Sequence, residues 1–188
     1  MMLNNISQKF HSWTSGWRVI ILLIADALMM GYVMPLAGGI MALAANNSVM
    51  PLDLMFFYTP AKAFAMIEKY AEAGRAVYLK IELTADIIYP IIYTLFYGLL
   101  LSWVFQRAFK SDSKMQRYNV MPVGAWFFDL LENVGIVSML SMYPSQSAAL
   151  AWLTMLFGTG KWAFAFASIG LALFGLVKAA MNGFKKQA

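Results

Sequence analysis

The sequence contains no cysteine and only one histidine, His11. Without cysteine the protein cannot form disulfide bonds, iron–sulfur clusters or a catalytic thiolate. His11 lies in the polar N-terminal tail, and a single histidine cannot build a multi-histidine zinc or haem site. Nucleophilic triads that need a histidine are excluded as well. We therefore predict that the protein holds no cofactor.

Charged residues are also scarce, at 12% of the chain, whereas a soluble domain has about 25%. Hydrophobic residues make up 61% of the sequence, which favours a protein that is solvated by lipid. The formal net charge is +5, but the basic residues cluster at the ends of apolar stretches. That placement indicates membrane topology and anionic headgroups. We predict an integral membrane protein whose partner is the lipid bilayer, with no nucleic-acid partner.

Four stretches are long and apolar enough to cross a hydrocarbon core, which takes about 20 helical residues. Only helices and closed barrels satisfy the backbone in lipid, and alternating strand patterns are missing from this sequence. We predict an all-α fold, a four-helix transmembrane bundle that forms a single integral membrane domain over residues 1–188. The predicted spans are residues 19–45, 81–105, 120–142 and 149–177.

The first loop contains an additional helical pattern. Residues 60–79 begin with Pro60, and Phe64, Ile67 and Tyr70 follow near helical spacing. We predict an amphipathic helix in this first extracytoplasmic loop, lying in the membrane interface or capping the end of the bundle. Lysine and arginine concentrate in the N-terminal tail, the second loop and the C-terminus. By the positive-inside rule, both termini are predicted to be cytoplasmic.

Five of the nine acidic residues fall within otherwise apolar stretches. A carboxylate at this depth costs at least about 2.5–3.5 kcal/mol, so it needs a partner, a water-filled cavity or a functional role. These acids are therefore the best indication of a functional site. They are Asp26, Glu82, Asp86, Asp129 and Glu132.

The acids of the second and third spans have helical spacing. Glu82 and Asp86 are four residues apart, and Tyr89 continues nearly the same face. In the third span Asp129, Glu132 and Asn133 also share one face. Carboxylate faces on neighbouring helices can hold metals in bundle proteins, but the Glu-x-x-His motif of those proteins is missing here. We predict no metal site.

Lys161 lies near the middle of the fourth span and almost requires an acidic partner. Glu132 matches it best in expected depth, and Asp129 is second. An ion pair that only fixes helix register is the alternative interpretation. Arg75 and Lys80, at the outer end of the second span, could neutralise Glu82. Asp26 lies toward the cytoplasmic end of the first span.

Short motifs in the first loop and in the second and third spans carry a resemblance to known families. They are Tyr58-Thr59-Pro60, Gly74-Arg75, Tyr78, Glu82-Leu83-Thr84, Asp86, Tyr89-Pro90 and Phe128-Asp129-Leu130-Leu131-Glu132-Asn133. Together they resemble an uncharacterised family of small bacterial four-helix inner-membrane proteins, which implies a location in the bacterial inner (cytoplasmic) membrane. A second resemblance is to the emopamil-binding, sterol-isomerase and sigma-2 receptor group, whose acids line a buried ligand pocket. The catalytic histidine of the isomerases has no counterpart here.

These patterns predict a carboxylate-lined cavity within the membrane that binds or translocates a small cationic, amphipathic or lipid-like ligand, or protons. A membrane enzyme that acts on a lipid or isoprenoid substrate by carboxyl acid/base chemistry is an alternative. An accessory subunit of a larger membrane complex is another. Whether the protein is an enzyme is left open. The predicted ligand-binding residues are Asp86, Asp129, Glu132, Asn133, Glu82, Tyr89, Asp26 and Lys161.

Overall fold

A computed structural model describes residues 2–185, and within that range the protein consists of helices and contains no strand. The all-α prediction is confirmed. Met1 and residues 186–188 of the predicted single domain lie outside the described residues. The helices are α1 (Met2–Trp13), α2 (Gly16–Leu28), α3 (Met34–Ala45), α4 (Pro60–Lys69), α5 (Ala71–Glu82), α6 (Ala85–Ala108), α7 (Met121–Met142) and α8 (Ala148–Lys185).

Four helical stretches are long and apolar enough to cross a membrane, and each contains one predicted span. In the first and the last of them only 11% and 17% of the most apolar window is buried by the protein itself. Such extended apolar surfaces are unfavourable in water and are stable against lipid. The chain is therefore a multi-pass membrane protein. The stretches are Gly16–Ala45, Ala71–Ala108, Lys114–Met142 and Ala148–Gly183.

The first spanning stretch is not a uniform α-helix. Residues Met29–Val33 form a π-helical segment that joins α2 to α3. Pro35 lies in the first turn of α3, where its ring cannot donate a hydrogen bond and crowds the carbonyl of Gly31. The wider π-helical turn accommodates this local loss of regular bonding.

The first-loop segment 60–79 contains two helices, whereas the sequence predicted one. Thr59 caps the start of α4, where its side-chain oxygen accepts a hydrogen bond from the Lys62 amide at 3.4 Å. The chain then changes direction at Ala71, whose φ is 53°. This left-handed conformation is unfavourable for alanine, so the break could not be predicted from the residue type. The second helix, α5, leads directly toward α6.

The described residues group into two compact units. The first unit comprises residues 2–26, 91–126 and 162–185. Its N-terminal segment, expected as a polar tail, forms α1 and buries Phe10 among Val19, Phe96 and Leu99. In the same unit His11 Nε2 lies 2.9 Å from the Gln116 carbonyl oxygen.

The second unit comprises residues 27–90 and 127–161. Helices α3 and α5 pack closely at Gly74. A Cβ atom at position 74 would lie only 2.9 Å from the Cβ of Ala45, so a residue larger than glycine would push the helices apart. The core of this unit is rich in aromatic and aliphatic side chains, and it also surrounds a group of buried polar residues. The core residues are Met41, Leu52, Tyr58, Ala63, Phe64, Ile67, Tyr70, Tyr78, Ile136, Met139, Leu140 and Ala151.

Candidate functional site

Lys161 on α8 forms an ion-paired group with two acids of α7. Its Nζ atom lies 2.5 Å from Oε2 of Glu132 and 3.5 Å from Oδ1 of Asp129. The partners and their order agree with the sequence prediction. All three side chains are buried, with 8% exposure for Lys161 and 1% for Glu132. A buried ammonium held this closely stabilises the negative charge of both neighbours.

A glycine on α8 makes room for this ion pair. A Cβ atom placed on Gly158 would overlap Oε1 of Glu132. Any larger residue at position 158 would therefore displace the carboxylate from its position beside Lys161. Gly158 is one helical turn before Lys161, so both residues face the same acid.

Glu82 and Asp86 approach the same region from the second spanning stretch. The sequence placed them on one continuous helix, but the structure has a turn between α5 and α6 at Leu83 and Thr84. Both acids are nevertheless buried, with 1% and 5% exposure. They lie close enough to repel each other when both are ionised.

Asn133 joins α7 to α6 beside these acids. Its Nδ2 donates a hydrogen bond to the main-chain oxygen of Asp86 at 2.8 Å. The amide oxygen of Asn133 accepts no hydrogen bond from the described residues. Both carboxyl oxygens of Glu82 and Oδ2 of Asp86 likewise accept no hydrogen bond from the part of the chain that the structure describes. The arrangement is a buried set of acceptors that lacks donors.

Sequence reasoning missed Asp53, which lies in the first loop and is 8% exposed. The hydroxyl of Tyr78 donates a hydrogen bond to Oδ1 of Asp53 at 2.9 Å and accepts one from the Leu52 amide at 2.9 Å. Tyr78, Glu82 and Asp86 follow one another at four-residue spacing, which could have indicated Tyr78. No comparable signal marks Asp53, because its burial depends on how the loop packs against α5.

Tyr58 was also missed as a site residue, although it is only 2% exposed. Its hydroxyl has no hydrogen-bond partner among the described residues. Burial raises the pKa of Tyr58 above its ordinary value, and the charge of Glu132 adds to this effect while Lys161 opposes it. Tyr58 therefore stays protonated at neutral pH.

Tyr70 is a further buried tyrosine of the second unit. Its ring meets that of Tyr78 edge to face, with centroids 5.4 Å apart. Its hydroxyl donates to the main-chain oxygen of Met50 at 2.7 Å. Burial, followed by the charges of Asp53 and Glu82, raises the pKa of Tyr70 above its ordinary value. Its hydroxyl is a structural donor that holds the first loop in place.

The balance of charge in the second unit is strongly uneven. It buries five carboxyl groups but a single ammonium group among the residues described. An uncompensated buried charge costs several kcal/mol, so the excess negative charge must be neutralised by protons or by a bound cation. The five acids are Asp53, Glu82, Asp86, Asp129 and Glu132.

Two other predicted counter-charges lie elsewhere. The guanidinium of Arg75 stacks over the ring of Tyr143 at 4.2 Å and donates to the Ile67 carbonyl at 3.4 Å. Lys80 is exposed. Within residues 2–185, neither forms an ion pair with Glu82, so the prediction that they neutralise this acid was wrong.

Asp26 and Tyr89 are the remaining predicted ligand-binding residues. Asp26 belongs to the first unit, is 8% exposed, and has one carboxyl oxygen without a hydrogen bond among the described residues. Tyr89 is half-buried on α6. A role for either residue in ligand binding stays a prediction. Across residues 2–185, no three acidic or histidine side chains converge closely enough to hold a metal ion.

No protein-family model, curated protein or solved structure matches this chain. The class of the protein therefore rests on its own fold, which is that of a helical multi-pass membrane protein. The two family resemblances noted in the sequence stay predictions.

Proposed function

We propose that this protein binds a small cation or protons at the buried carboxyl groups of its second unit and carries them across the membrane. One observation supports this above all: five buried carboxyls share a single buried ammonium group. In membrane proteins, buried acids with this imbalance are characteristic of ion and proton paths. A bound cation or proton would balance the negative charge that exceeds the single charge of Lys161.

In this proposal the acids form the floor of a wet cavity within the bundle, with Asn133 and Tyr89 as its hydrogen-bonding walls. Lys161 is the fixed counter-charge. The bond from Asn133 to the Asp86 main chain supports the placement of α6 beside α7 at this level. In this proposal both termini are cytoplasmic, as the distribution of lysine and arginine favours, and the membrane is the bacterial inner membrane, as the family resemblance implies.

The two alternatives have less support. An accessory subunit would be favoured by acids on a lateral surface, but these acids are 1–8% exposed. A lipid or isoprenoid enzyme needs two carboxyls in different environments, which the Lys161 group and Glu82 could provide. Chemical change in a lipid extract incubated with the purified protein would favour the enzyme. Ion flux without chemical change would favour transport.

The test is flux into proteoliposomes, measured separately for protons, Na⁺, K⁺ and methylammonium. We expect Glu132→Gln and Asp129→Asn to abolish flux, because each removes a charge that Lys161 holds in place. The matched control is Glu68→Gln, which alters an exposed acid on α4. Wild-type protein that carries none of these ions would contradict the proposal. So would Glu132→Gln and Asp129→Asn variants that fail to insert and fold, since the acids would then be structural.

A further inference from the structure

We infer that the species bound at this site is the proton, and that Glu82 and Asp86 are the carboxyls that hold it. This inference rests on the proposed function and specifies that the cation bound at the site is a proton. It also divides four of the five buried acids into two sets with different roles. Glu132 and Asp129 form ion pairs with Lys161, and Glu82 and Asp86 exchange protons.

The first set is defined by the position of the Lys161 ammonium. It contacts Glu132 at 2.5 Å and Asp129 at 3.5 Å, so both carboxylates have a counter-charge at contact distance. Lysine donates up to three hydrogen bonds and accepts none, which favours the ionised form of both acids. These two carboxylates share one positive charge, so the set carries at most one net negative charge.

The second set has no such counter-charge. Both oxygens of Glu82, one oxygen of Asp86 and the amide oxygen of Asn133 are buried acceptors without a donor from any described residue. A proton on a carboxyl turns that carboxyl from an acceptor into a donor. Protonation thus removes the charge of each carboxyl and supplies one hydrogen-bond donor in the same step.

The charged and titratable neighbours of the two acids are consistent with this division. Negative groups outnumber the single positive one around both of them. The groups that act on Glu82 or Asp86 are Asp53, Asp129, Glu132, Lys161 and Tyr78. The hydroxyl proton of Tyr78 is already donated to Asp53, so it does not satisfy Glu82.

Larger cations fit the observations less well. A metal ion needs several converging ligands, and none of the described residues provide a group of three. An organic ammonium ion needs a cavity large enough to hold it beside the acids, and a pocket of about 270 Å³ beside His11 and Gln116 belongs to the first unit. A proton needs neither several converging ligands nor a cavity.

Tyr58 is a further buried polar group near the acids. It comes from the loop before α4, is 2% exposed, and has a hydroxyl without a hydrogen-bond partner among the described residues, while the charges of Glu132, Asp53 and Glu82 act on it. A hydroxyl can accept one proton while it releases another, so Tyr58 can connect the acids to the loop side of the unit. The step is a proton transfer only: a carboxyl O–H bond breaks, the proton passes to a hydroxyl or water, and the carboxylate later regains a proton.

Infrared spectroscopy of the purified protein in lipid tests this inference without relying on transport. A protonated carboxyl has a carbonyl band that shifts in D₂O, whereas a carboxylate lacks that band. We expect wild-type protein to show this band at neutral pH and to lose it at alkaline pH. Glu82→Gln and Asp86→Asn should each lose part of the band, and the double variant should lose more of it than either single variant. Glu132→Gln and the exposed Glu68→Gln should retain it.

A wild-type spectrum without the band at neutral pH would overturn the inference, and this measurement needs no variant to fold. A band of undiminished intensity in the folded double variant would also overturn it. Transport and protonation can fail separately: a protein that carries no ion but shows the band refutes only the proposed function. Flux of Na⁺ by a protein without the band refutes only the inference.

Discussion

Replacing Lys161 with methionine perturbs the acid group most severely. Methionine keeps much of the length and flexibility of the side chain but removes its charge. Glu132 and Asp129 then lose the ammonium group that lies 2.5 Å and 3.5 Å from them. Breaking a buried ion pair from one side costs about 3–5 kcal/mol, because the remaining charge is left without compensation. The burial of all three side chains means that solvent screening does not reduce this value appreciably.

The free energy of unfolding is measured by denaturant titration in detergent micelles. Lys69→Met is the matched control, since Lys69 is exposed on α4 and its replacement should change stability by less than about 0.5 kcal/mol. The double variant Lys161→Met/Glu132→Gln should recover part of the loss, because one uncompensated charge is gone. A Lys161→Met protein within about 0.5 kcal/mol of wild type would refute the reasoning.

Two further substitutions test close approach and backbone strain. Gly158→Ala should destabilise the protein by about 1–3 kcal/mol because its Cβ overlaps Glu132, whereas Gly170→Ala on the same helix meets open space and should be neutral or stabilising. Equal melting temperatures for these two variants in detergent would contradict this packing. Ala71→Gly should stabilise the protein by up to about 1 kcal/mol, since glycine tolerates a φ of 53°. Ala73→Gly, in regular helix, should instead lose about 0.5–1 kcal/mol, and a loss in both variants would argue against the left-handed turn.

The four spanning helices could be predicted from the sequence because lipid imposes a simple rule: an apolar run of sufficient length must be helical. The breaks within and between helices could not. Ala71 has no intrinsic preference for the left-handed conformation that ends α4, so that break arises from packing. The helix α1 was missed although Leu3, Ile6 and Phe10 have helical spacing, because few of its residues are apolar.

The candidate site was predictable where charge alone decides the outcome. Lys161 must find a carboxylate at its own depth, which restricted its partners to Glu132 and Asp129. Asp53 and Tyr58 were not predictable, because they lie in a loop whose folding against α5 buries them. Loop residues carry no periodicity that reports burial, whereas helix residues do.

The most direct test of the central claim is the initial rate of proton uptake by vesicles that contain the wild-type protein under an imposed pH gradient. Vesicles with Glu132→Gln, with Glu68→Gln and without protein complete the set. We predict rapid uptake with wild type and Glu68→Gln, and uptake at the level of empty vesicles with Glu132→Gln. Equal rates for folded wild type and Glu132→Gln would contradict the assignment of function to the buried acids.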